Sequence, residues 1–296
     1  MYSSPRLSQL ILGWPPFTST PVPAYLTCRR WSRLPGLAEE GSSVSDESEL
    51  IHQYLVEAAE APSDGWVIDL GCGRGPTLAA FARTYPGMRL TGIDRSVESV
   101  EAAREMLADY SGRLEVLAAD LRVPAPLPDG CADAVVSYNL LECLPDADPF
   151  FAEIWRLLKP RGKAVVAHVD FDSIVIEGAD RQLDRQICHA FTDDQQTWMD
   201  HADGRIGRKL PGLVKASPLA LTKVRTWVTS STEMSGQAAR RIDNIRQALT
   251  NSARRGTGLV ALEEVDAWYA AVQESASLGR FFFAETAVVV SASRPA

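Results

Sequence analysis

Cysteine is scarce in this sequence and is nowhere arranged for metal binding. The chain has 296 residues and five cysteines, an odd number, with no C-x-x-C pair. A disulfide framework and a zinc site are therefore both unsupported, and we expect no metal. Scattered single cysteines are typical of a reducing compartment, so we expect a cytoplasmic protein. The cysteines are Cys28, Cys72, Cys131, Cys143 and Cys188.

Long apolar runs are also missing. No segment approaches the roughly 18 apolar residues that a membrane-spanning helix needs. The N-terminal segment LSQLILGW is short, is followed by prolines, and lacks a small-x-small cleavage site. We therefore expect neither a signal peptide nor a membrane partner.

An excess of positive charge is absent as well. The chain has 30 Lys and Arg against 38 Asp and Glu, a net charge of −8, which argues against binding to nucleic-acid backbones. Residues 204–255 are the exception, with eleven basic and two acidic residues. This segment could steer an anionic acceptor or join two subunits in a homodimer, although we favour a solvated helix face with a loop.

The chain divides near residue 45. Residues 1–45 are rich in proline, which excludes a long helix, and carry the aromatic residues Trp14, Tyr25 and Trp31. They form either a leader without a role or a flap that folds over a ligand. From residue 46 onward, strand and helix patterns alternate for about a hundred residues, which predicts a single α/β domain over 46–296 with a mostly parallel sheet.

Five strands and their helices can be placed from this alternation. The predicted strands are residues 67–70 and the segments RLTGID, LEVLAAD, ADAVVSYN and KAVVAHVDF. Beyond them the pattern predicts a strand in LALTKVRTWVTS, helices over 237–254 and 261–276, and a final strand in RFFFAETAVVVSAS. Helices are expected to cover both faces of the sheet.

A glycine turn follows the first predicted strand. In DLGCGRG, glycines let the backbone approach a ligand closely, and the next helix offers free N–H groups at its N-terminus. A dinucleotide-binding G-x-G-x-x-G would need a third glycine at position 76, where the chain has Pro76. The pattern is instead G-x-G-x-G, preceded by Asp69.

Two further aspartates end the next two strands. Asp94 follows the glycines by about 20 residues, where a carboxylate can accept hydrogen bonds from both ribose hydroxyls. Asp120 ends the third strand, where it can accept a hydrogen bond from an exocyclic amine such as that of adenine. Each aspartate alone could be a turn residue. Because parallel strands end at one edge of a sheet, all three features together indicate a nucleoside-binding edge.

These segments together resemble a known family. VIDLGCGRG, TGIDRS, AADLRVPAPLPDGCADAVVSYNLLECLPD and EIWRLLKPRGKAVV resemble the four segments of class I S-adenosylmethionine-dependent methyltransferases. The ubiquinone/menaquinone-biosynthesis-like group, which methylates small molecules, is the most similar variety. The resemblance covers residues 47–170, and GRFFFAETAVVVSASRP is similar to that group's closing strand. It implies a Rossmann-like, seven-stranded, mostly parallel sheet with an antiparallel last strand.

The resemblance also implies residue roles. Asp69, Gly71 and Gly73 would border the methionine end of S-adenosylmethionine, the cofactor that leaves as S-adenosylhomocysteine. The remaining implied contacts are Asp94 with the ribose, Arg95 and Leu121 with the adenine ring, Asp120 with the adenine amine, and Asn139 with the methionine end. An insertion over 171–216 would roof the acceptor, with Trp198, Met199 and His201 as pocket walls or, alternatively, as parts of a solvated loop.

Catalytic candidates follow the fourth and fifth strands. His168 is the first choice as a general base because its ordinary pKa suits neutral pH, although it could simply pack within the strand. Tyr138 could orient the acceptor or offer its oxygen to the C–H groups of the methyl, or could instead be a core aromatic, and Glu142 is a further catalytic candidate. Asp170 and Asp172 have no third ligand at a suitable spacing, which argues against a metal site.

We therefore predict methyl transfer to a small molecule of specialised (natural-product) metabolism, indole-like or phenolic, by in-line displacement. The aromatic residues of the leader and the roof favour a planar acceptor. Two alternatives remain at this point: an NAD-dependent oxidoreductase, and a cofactor-binding regulator without catalysis. Neither the acceptor nor the atom that receives the methyl group is determined by the sequence.

Overall fold

Strands and helices alternate in the described part of the chain, with the strands in the order that the sequence predicts and with two helices, Arg181–Asp193 and Ile206–Ala216, that it does not predict. The computed structural model describes residues 47–296, all within one compact unit, Val44–Ala296. The predicted N-terminal leader or flap and its aromatic residues lie outside the described residues. The strands are β1 Trp66–Leu70, β2 Arg89–Asp94, β3 Leu114–Ala118, β4 Ala132–Tyr138, β5 Leu158–Glu177, β6 Ala220–Ser231 and β7 Phe282–Ser293.

Eight α-helices accompany these strands in the described part of the chain. They are α1 Glu47–Ala58, α2 Pro76–Thr84, α3 Val97–Met106, α4 Asp148–Leu157, α5 Arg181–Asp193, α6 Ile206–Ala216, α7 Gly236–Arg255 and α8 Leu262–Ser277. Local signals set several of their ends. Pro76 occupies the first turn of α2, the Ser96 hydroxyl accepts a hydrogen bond from the Ser99 N–H at the start of α3, and Gly256 ends α7 in the left-handed conformation.

The sheet confirms the predicted fold class. Its seven strands lie in the order β3-β2-β1-β4-β5-β7-β6, with β1 to β5 parallel and β7 antiparallel to both of its neighbours. Helices α1 to α3 pack on one face, and α4 and α6 pack on the other. β1 and β4 are accordingly buried on both faces, as parallel strands between two helix layers must be.

Strand β5 is longer than the sequence predicts. The segment KAVVAHVDF ends at Phe171, whereas β5 runs to Glu177 and pairs with β7 beyond an irregularity between Asp170 and Val175. Helices α5, α7 and α8 pack around this extension and form a separate apolar core. Because of this extension, α5, α7 and α8 lie beyond the carboxyl edge of the parallel strands.

The roof over that edge differs from the insertion that the sequence predicts over 171–216. Within this range, α5 and the following loop, residues 194–204, lie beside a cavity, but α6 covers the sheet instead and buries Leu210 and Val214 against it. The opposite wall of the cavity comes from α7, outside the predicted insertion. The roof is thus assembled from segments far apart in the chain.

Candidate functional site

The glycine turn between β1 and α2 is shaped by left-handed backbone. Gly71, Gly73 and Gly75 have φ angles of 74°, 51° and 89°, a region that side chains strongly disfavour. The N–H groups of Gly71 and Cys72 donate to the Ile93 carbonyl oxygen at 2.8 and 3.0 Å, which fixes the turn against β2. A Cβ atom on Gly73 would meet nothing within 4 Å, so this glycine faces open space.

That open space is a cavity of about 750 Å³ at the carboxyl edge of the parallel strands, here called the sheet-edge cavity. All eight predicted cofactor-binding residues line it. They are Asp69, Gly71, Gly73, Asp94, Arg95, Asp120, Leu121 and Asn139. His52 on α1 lines it too and was not predicted; its Nδ1 atom lies 2.9 Å from the Thr77 hydroxyl, and burial lowers its pKa to about 4.

Asp69 is a buried carboxylate with an unused acceptor. Its Oδ2 atom has no hydrogen-bond partner in the described structure, and the residue is only 2% exposed. Burial raises the pKa of Asp69 to about 8, and the nearby charge of Asp94 adds to the rise. A buried acceptor without a partner costs free energy unless a ligand satisfies it.

Asp94 is held in place at the end of β2 by two backbone groups. Its Oδ2 atom accepts from the Gly73 N–H at 2.8 Å, and its Oδ1 atom accepts from the Ser96 N–H at 2.9 Å. Each carboxylate oxygen can accept a further hydrogen bond. The carboxylate is therefore preorganised at the cavity wall.

Asp120 and Arg95 take part in contacts that the sequence does not reveal. The Arg122 Nε and Nη2 atoms donate to the Asp120 carboxylate at 2.9 and 2.5 Å, which holds the pKa of Asp120 below its ordinary value. Arg95 donates to Asp200 at 2.7 Å and to the carbonyl oxygen of Trp198. Arg95 therefore ties the loop 194–204 to the end of β2.

A second cavity, of about 470 Å³, lies beneath that loop and is here called the roof cavity. Its walls come from the end of β4, from α5, from the loop 194–204 and from α7. Asn139 and Trp198 line both cavities, so the two spaces adjoin. Of the three residues predicted to contact the acceptor, Trp198 and Met199 line the roof cavity, whereas His201 is exposed and lines neither cavity.

Asn139 stands at the junction in a strained conformation. Its φ angle is 56°, in the left-handed region where asparagine is tolerated better than most residues. Its Oδ1 atom accepts from the Val169 N–H at 2.8 Å, and its own N–H donates to the Ala167 carbonyl oxygen at 3.0 Å. Strain held by neighbouring hydrogen bonds is typical of functional sites.

Glu142 is the predicted catalytic residue that the structure places in the roof cavity. It is 8% exposed and belongs to the 3₁₀ turn Leu141–Cys143 that follows β4. Burial raises the pKa of Glu142 to about 7, against the opposing influence of Arg241. A carboxylate with this pKa can accept a proton near neutral pH.

Tyr138 and His168 are positioned differently. Tyr138 lines the sheet-edge cavity, and burial raises the pKa of its hydroxyl to about 12, so this group is suited to donate a hydrogen bond. His168 is fully buried and lines neither cavity. Burial lowers the pKa of His168 to about 4. The geometry therefore favours Glu142 over His168 as the proton acceptor, and the role proposed for His168 stays an untested prediction.

Arg241 is a site residue that sequence reasoning missed. It lines the roof cavity from α7, is 7% exposed, and donates through Nε to the Glu285 carboxylate at 2.6 Å. Its guanidinium carbon lies 4.7 Å from the centre of the Phe171 ring. The available signal was a charged residue on an apolar helix stripe, three positions after Ala238 and four before Ile245.

The two aspartates considered as metal ligands are engaged by an arginine. Arg208 donates to Asp170 at 2.5 and 2.6 Å and lies 3.0 Å from Asp172. Within residues 47–296, no group of three or more His, Cys, Asp and Glu side chains is arranged to hold a metal ion. In the same part of the chain, no helix combines the length and the apolar character needed to cross a membrane.

A family model matches this chain. Its description is a methyltransferase domain, and it aligns with residues 68–166, which contain the glycine turn, Asp94, Asp120 and Asn139.

Two relatives and one solved structure are also similar to this chain. An uncharacterized 37.1 kDa protein in a transposon of Streptomyces fradiae is 31% identical over 71% of this chain and 63% of its own length. A ubiquinone/menaquinone biosynthesis C-methyltransferase of Desulfotalea psychrophila is 34% identical over 38% of this chain and 45% of its own. The chain thus spans less than two thirds of either relative. A putative methyltransferase of Bacillus halodurans superposes with a TM-score of 0.55 at 15% identity, covering 83% of this chain and 99% of that one.

Proposed function

Since a family model described as a methyltransferase domain matches residues 68–166, we propose that this protein transfers a methyl group from S-adenosylmethionine to a small-molecule acceptor. The observation that carries the proposal is the pair of adjoining cavities, which meet at Asn139 and Trp198. One is large enough for a nucleoside-containing cofactor, and the other offers space for an acceptor beside it.

The residues of the sheet-edge cavity fit S-adenosylmethionine. The unpartnered Oδ2 atom of Asp69 is a suitable acceptor for the ammonium group of the methionine end. The preorganised carboxylate of Asp94 would accept hydrogen bonds from the ribose hydroxyls. The open space at Gly73 would let the cofactor lie close to the backbone. Leu121, Asp120 and Arg95 would border the adenine. When bound, the cofactor supplies an electrophilic methyl group on a positively charged sulfur.

The roof cavity would hold the acceptor behind that methyl group. Methyl transfer is an in-line displacement, so holding the acceptor in line and excluding water account for much of the catalysis. Asn139 and Trp198 border both spaces and are placed to align them. Glu142 would take the proton that the acceptor releases, and the Tyr138 hydroxyl, with its raised pKa, would remain a hydrogen-bond donor.

An aromatic or heteroaromatic acceptor, indole-like or phenolic, is the finer part of this proposal. Phe171, Phe191 and Trp198 line the roof cavity and offer apolar faces on which a ring can pack. The same cavity also has polar walls, so the acceptor needs polar groups beside its ring.

Isothermal titration with S-adenosylhomocysteine tests the proposal, with NADH as the parallel ligand. We expect micromolar binding of the former and none of the latter. Asp94→Ala should weaken S-adenosylhomocysteine binding by about 1.5–3 kcal/mol, because charge-assisted hydrogen bonds are lost.

Tighter binding of NADH would contradict the methyltransferase assignment and support the oxidoreductase alternative. A protein that binds S-adenosylhomocysteine but produces none of it from S-adenosylmethionine with any acceptor would instead be a regulator.

Asp109→Asn serves as the control for Asp94→Ala, because it removes an exposed carboxylate outside both cavities.

A further inference from the structure

The roof cavity has more negative than positive charge. Its lining carboxylates are Glu142, Asp194 and Asp203. The lining cation, Arg241, is already paired with Glu285 at 2.6 Å, and Asp203 is paired with Lys209 at 2.5 Å. Three carboxylates and one cation thus line the cavity, and since the ion pairs with Glu285 and Lys209 neutralise Arg241 and Asp203, Asp194 and Glu142 leave the cavity with a negative balance that favours a bound cation over an anion.

Among the described residues, no side chain forms a hydrogen bond or an ion pair with the Glu142 carboxylate, although the charge of Arg241 acts on it from a distance. Glu142 is more than nine-tenths buried and lines the roof cavity. Burying an ionisable carboxylate in this state is costly unless a ligand engages it. Asp194, by contrast, already accepts from the Ser252 hydroxyl at 2.8 Å and from the Gln196 amide.

Glu142 also lies close to the junction of the cavities. Its chain neighbour Cys143 lines the sheet-edge cavity, while Glu142 lines the roof cavity. Asn139, three residues earlier, lines both. A ligand group that reaches Glu142 therefore lies near the place where the methyl group would be presented.

The facing wall is made of neutral amides. Helix α7 turns Asn244, Gln247 and Asn251 toward the roof cavity, at helical spacing on one side of the helix. Amide groups both donate and accept hydrogen bonds and add no charge. They suit a polar acceptor, and the one charged lining residue of this helix, Arg241, is neutralised by Glu285.

On these observations we propose that the acceptor is an amine, protonated in solution, and that Glu142 binds its ammonium group and receives its proton before nitrogen is methylated. This inference rests on the proposed methyltransferase function. The proton passes from the ammonium to the Glu142 carboxylate, and the freed lone pair on nitrogen forms the new N–C bond. The methyl C–S bond breaks, its electron pair stays on sulfur, and the product is a protonated N-methylamine. Glu142 then releases its proton to water.

A series of ligands with one ring and three end groups tests the charge preference. The protein is first saturated with S-adenosylhomocysteine, and tryptamine, indole-3-ethanol and indole-3-acetate are then titrated calorimetrically. Phenethylamine, 2-phenylethanol and phenylacetate form a second series. We expect each amine to bind at least tenfold more tightly than its alcohol, and each acid to bind most weakly. Equal binding within the series, or no binding of either amine, overturns the inference.

A matched pair of variants tests the role of Glu142. Glu142→Gln preserves the shape of the side chain and should weaken amine binding at least tenfold while changing alcohol binding less than twofold. Glu105→Gln makes the same change at an exposed position of α3 outside both cavities and should leave both affinities unchanged. Unchanged amine binding by the Glu142→Gln variant would show that Glu142 does not bind the ammonium group and would overturn the inference.

Incubation with S-adenosylmethionine identifies the atom that receives the methyl group. Mass spectrometry of the products should locate it on the amine nitrogen, and methylation of oxygen or carbon in preference to nitrogen overturns the inference. The initial titration separates the two proposals. Failure to bind S-adenosylhomocysteine refutes the proposed function, whereas normal binding without amine preference refutes only the acceptor class.

Discussion

Two residues that line the cavities adopt unfavourable states when no ligand is bound: one has an unpartnered polar atom and the other a strained backbone. Asp69 is a buried carboxyl with an unpartnered oxygen, and Asn139 adopts a left-handed φ of 56°. Such departures from local preference concentrate where a ligand is to be bound. At the residue scale, the site is therefore expected to reduce the stability of the free protein.

Asp69→Asn tests that expectation. The pKa of Asp69 is about 8 in the folded protein, whereas its ordinary value is 3.8. Between these two pH values, folded Asp69 keeps a proton that the unfolded chain has released. Folding stability from this group is therefore lost as the pH rises from about 4 to about 8. At pH 8 the variant should be more stable than the wild type by about 1–3 kcal/mol, measured by urea unfolding without ligand.

The same variant should bind S-adenosylhomocysteine at least tenfold more weakly, because the amide cannot offer a charged acceptor to the ammonium group. Asp109→Asn, at an exposed site, should change neither quantity. A variant of Asp69 that is less stable than the wild type at pH 8, yet binds normally, would show that this carboxyl has only a structural role.

At the element scale, the roof is joined to the sheet by a few polar contacts. The Asp200 carboxylate, in the loop 194–204, forms an ion pair with the Arg95 guanidinium at 2.7 Å and lies 3.5 Å from the guanidinium of Arg122. On the other side, Arg241 of α7 is joined to Glu285 of β7 by a buried ion pair. The side-chain contacts of the loop are partly exposed and weak, whereas the α7 contact is buried, so we expect the loop to separate from the sheet more readily than α7 does.

Asp200→Ala should therefore loosen the loop without unfolding the protein. Exposed ion pairs contribute roughly 0.2–1 kcal/mol each, so we expect S-adenosylhomocysteine to dissociate about two- to fivefold faster. Stopped-flow fluorescence can follow the release, because Trp198 lies in the same loop and lines both cavities.

The matched control is Asp193→Ala, at an exposed position before the loop with no hydrogen bond recorded for its side chain in the described structure. It should leave the dissociation rate at the wild-type value. Equal acceleration in both variants would attribute the effect to general loss of charge and not to the Arg95 contact.

At the scale of the whole molecule, ligand binding and folding are linked. The sheet-edge cavity is formed by residues from the ends of β1, β2 and β4 together with α1 and the roof loop, so it exists only in the folded domain. A ligand that binds the folded state alone stabilises it by mass action. The whole domain should accordingly respond to the cofactor product.

Differential scanning calorimetry measures that response. At a concentration 100 times its Kd, S-adenosylhomocysteine should stabilise the protein by about 2.7 kcal/mol. For a domain of this size, that corresponds to a Tm increase of about 5–10 °C. NADH at the same concentration should give no increase, and an equal increase with both ligands would contradict the cofactor assignment.

The sequence by itself determined the parallel part of the sheet and which residues line the sheet-edge cavity at its end. Periodic apolar runs, Pro76 and Ser96 are local signals, and local signals suffice to place strands and helices. Because parallel strands end at one edge, the positions of Asp69, Asp94 and Asp120 along the chain already fixed that they would meet at one cavity. The family resemblance gave the same residues.

Only the tertiary structure decided which residues form the roof cavity, where we propose that the acceptor binds. Glu142, Asp203 and Arg241 are separated by up to about a hundred residues and come together because β5 continues to Glu177 and carries α5 and α7 above the sheet. Burial, which no local pattern reports, raises the pKa of Glu142 to about 7 and lowers the pKa of His168 to about 4, which supports the role proposed for Glu142. The strand ends followed from short-range periodicity, whereas the charge and walls of the roof cavity depend on long-range packing between separate segments.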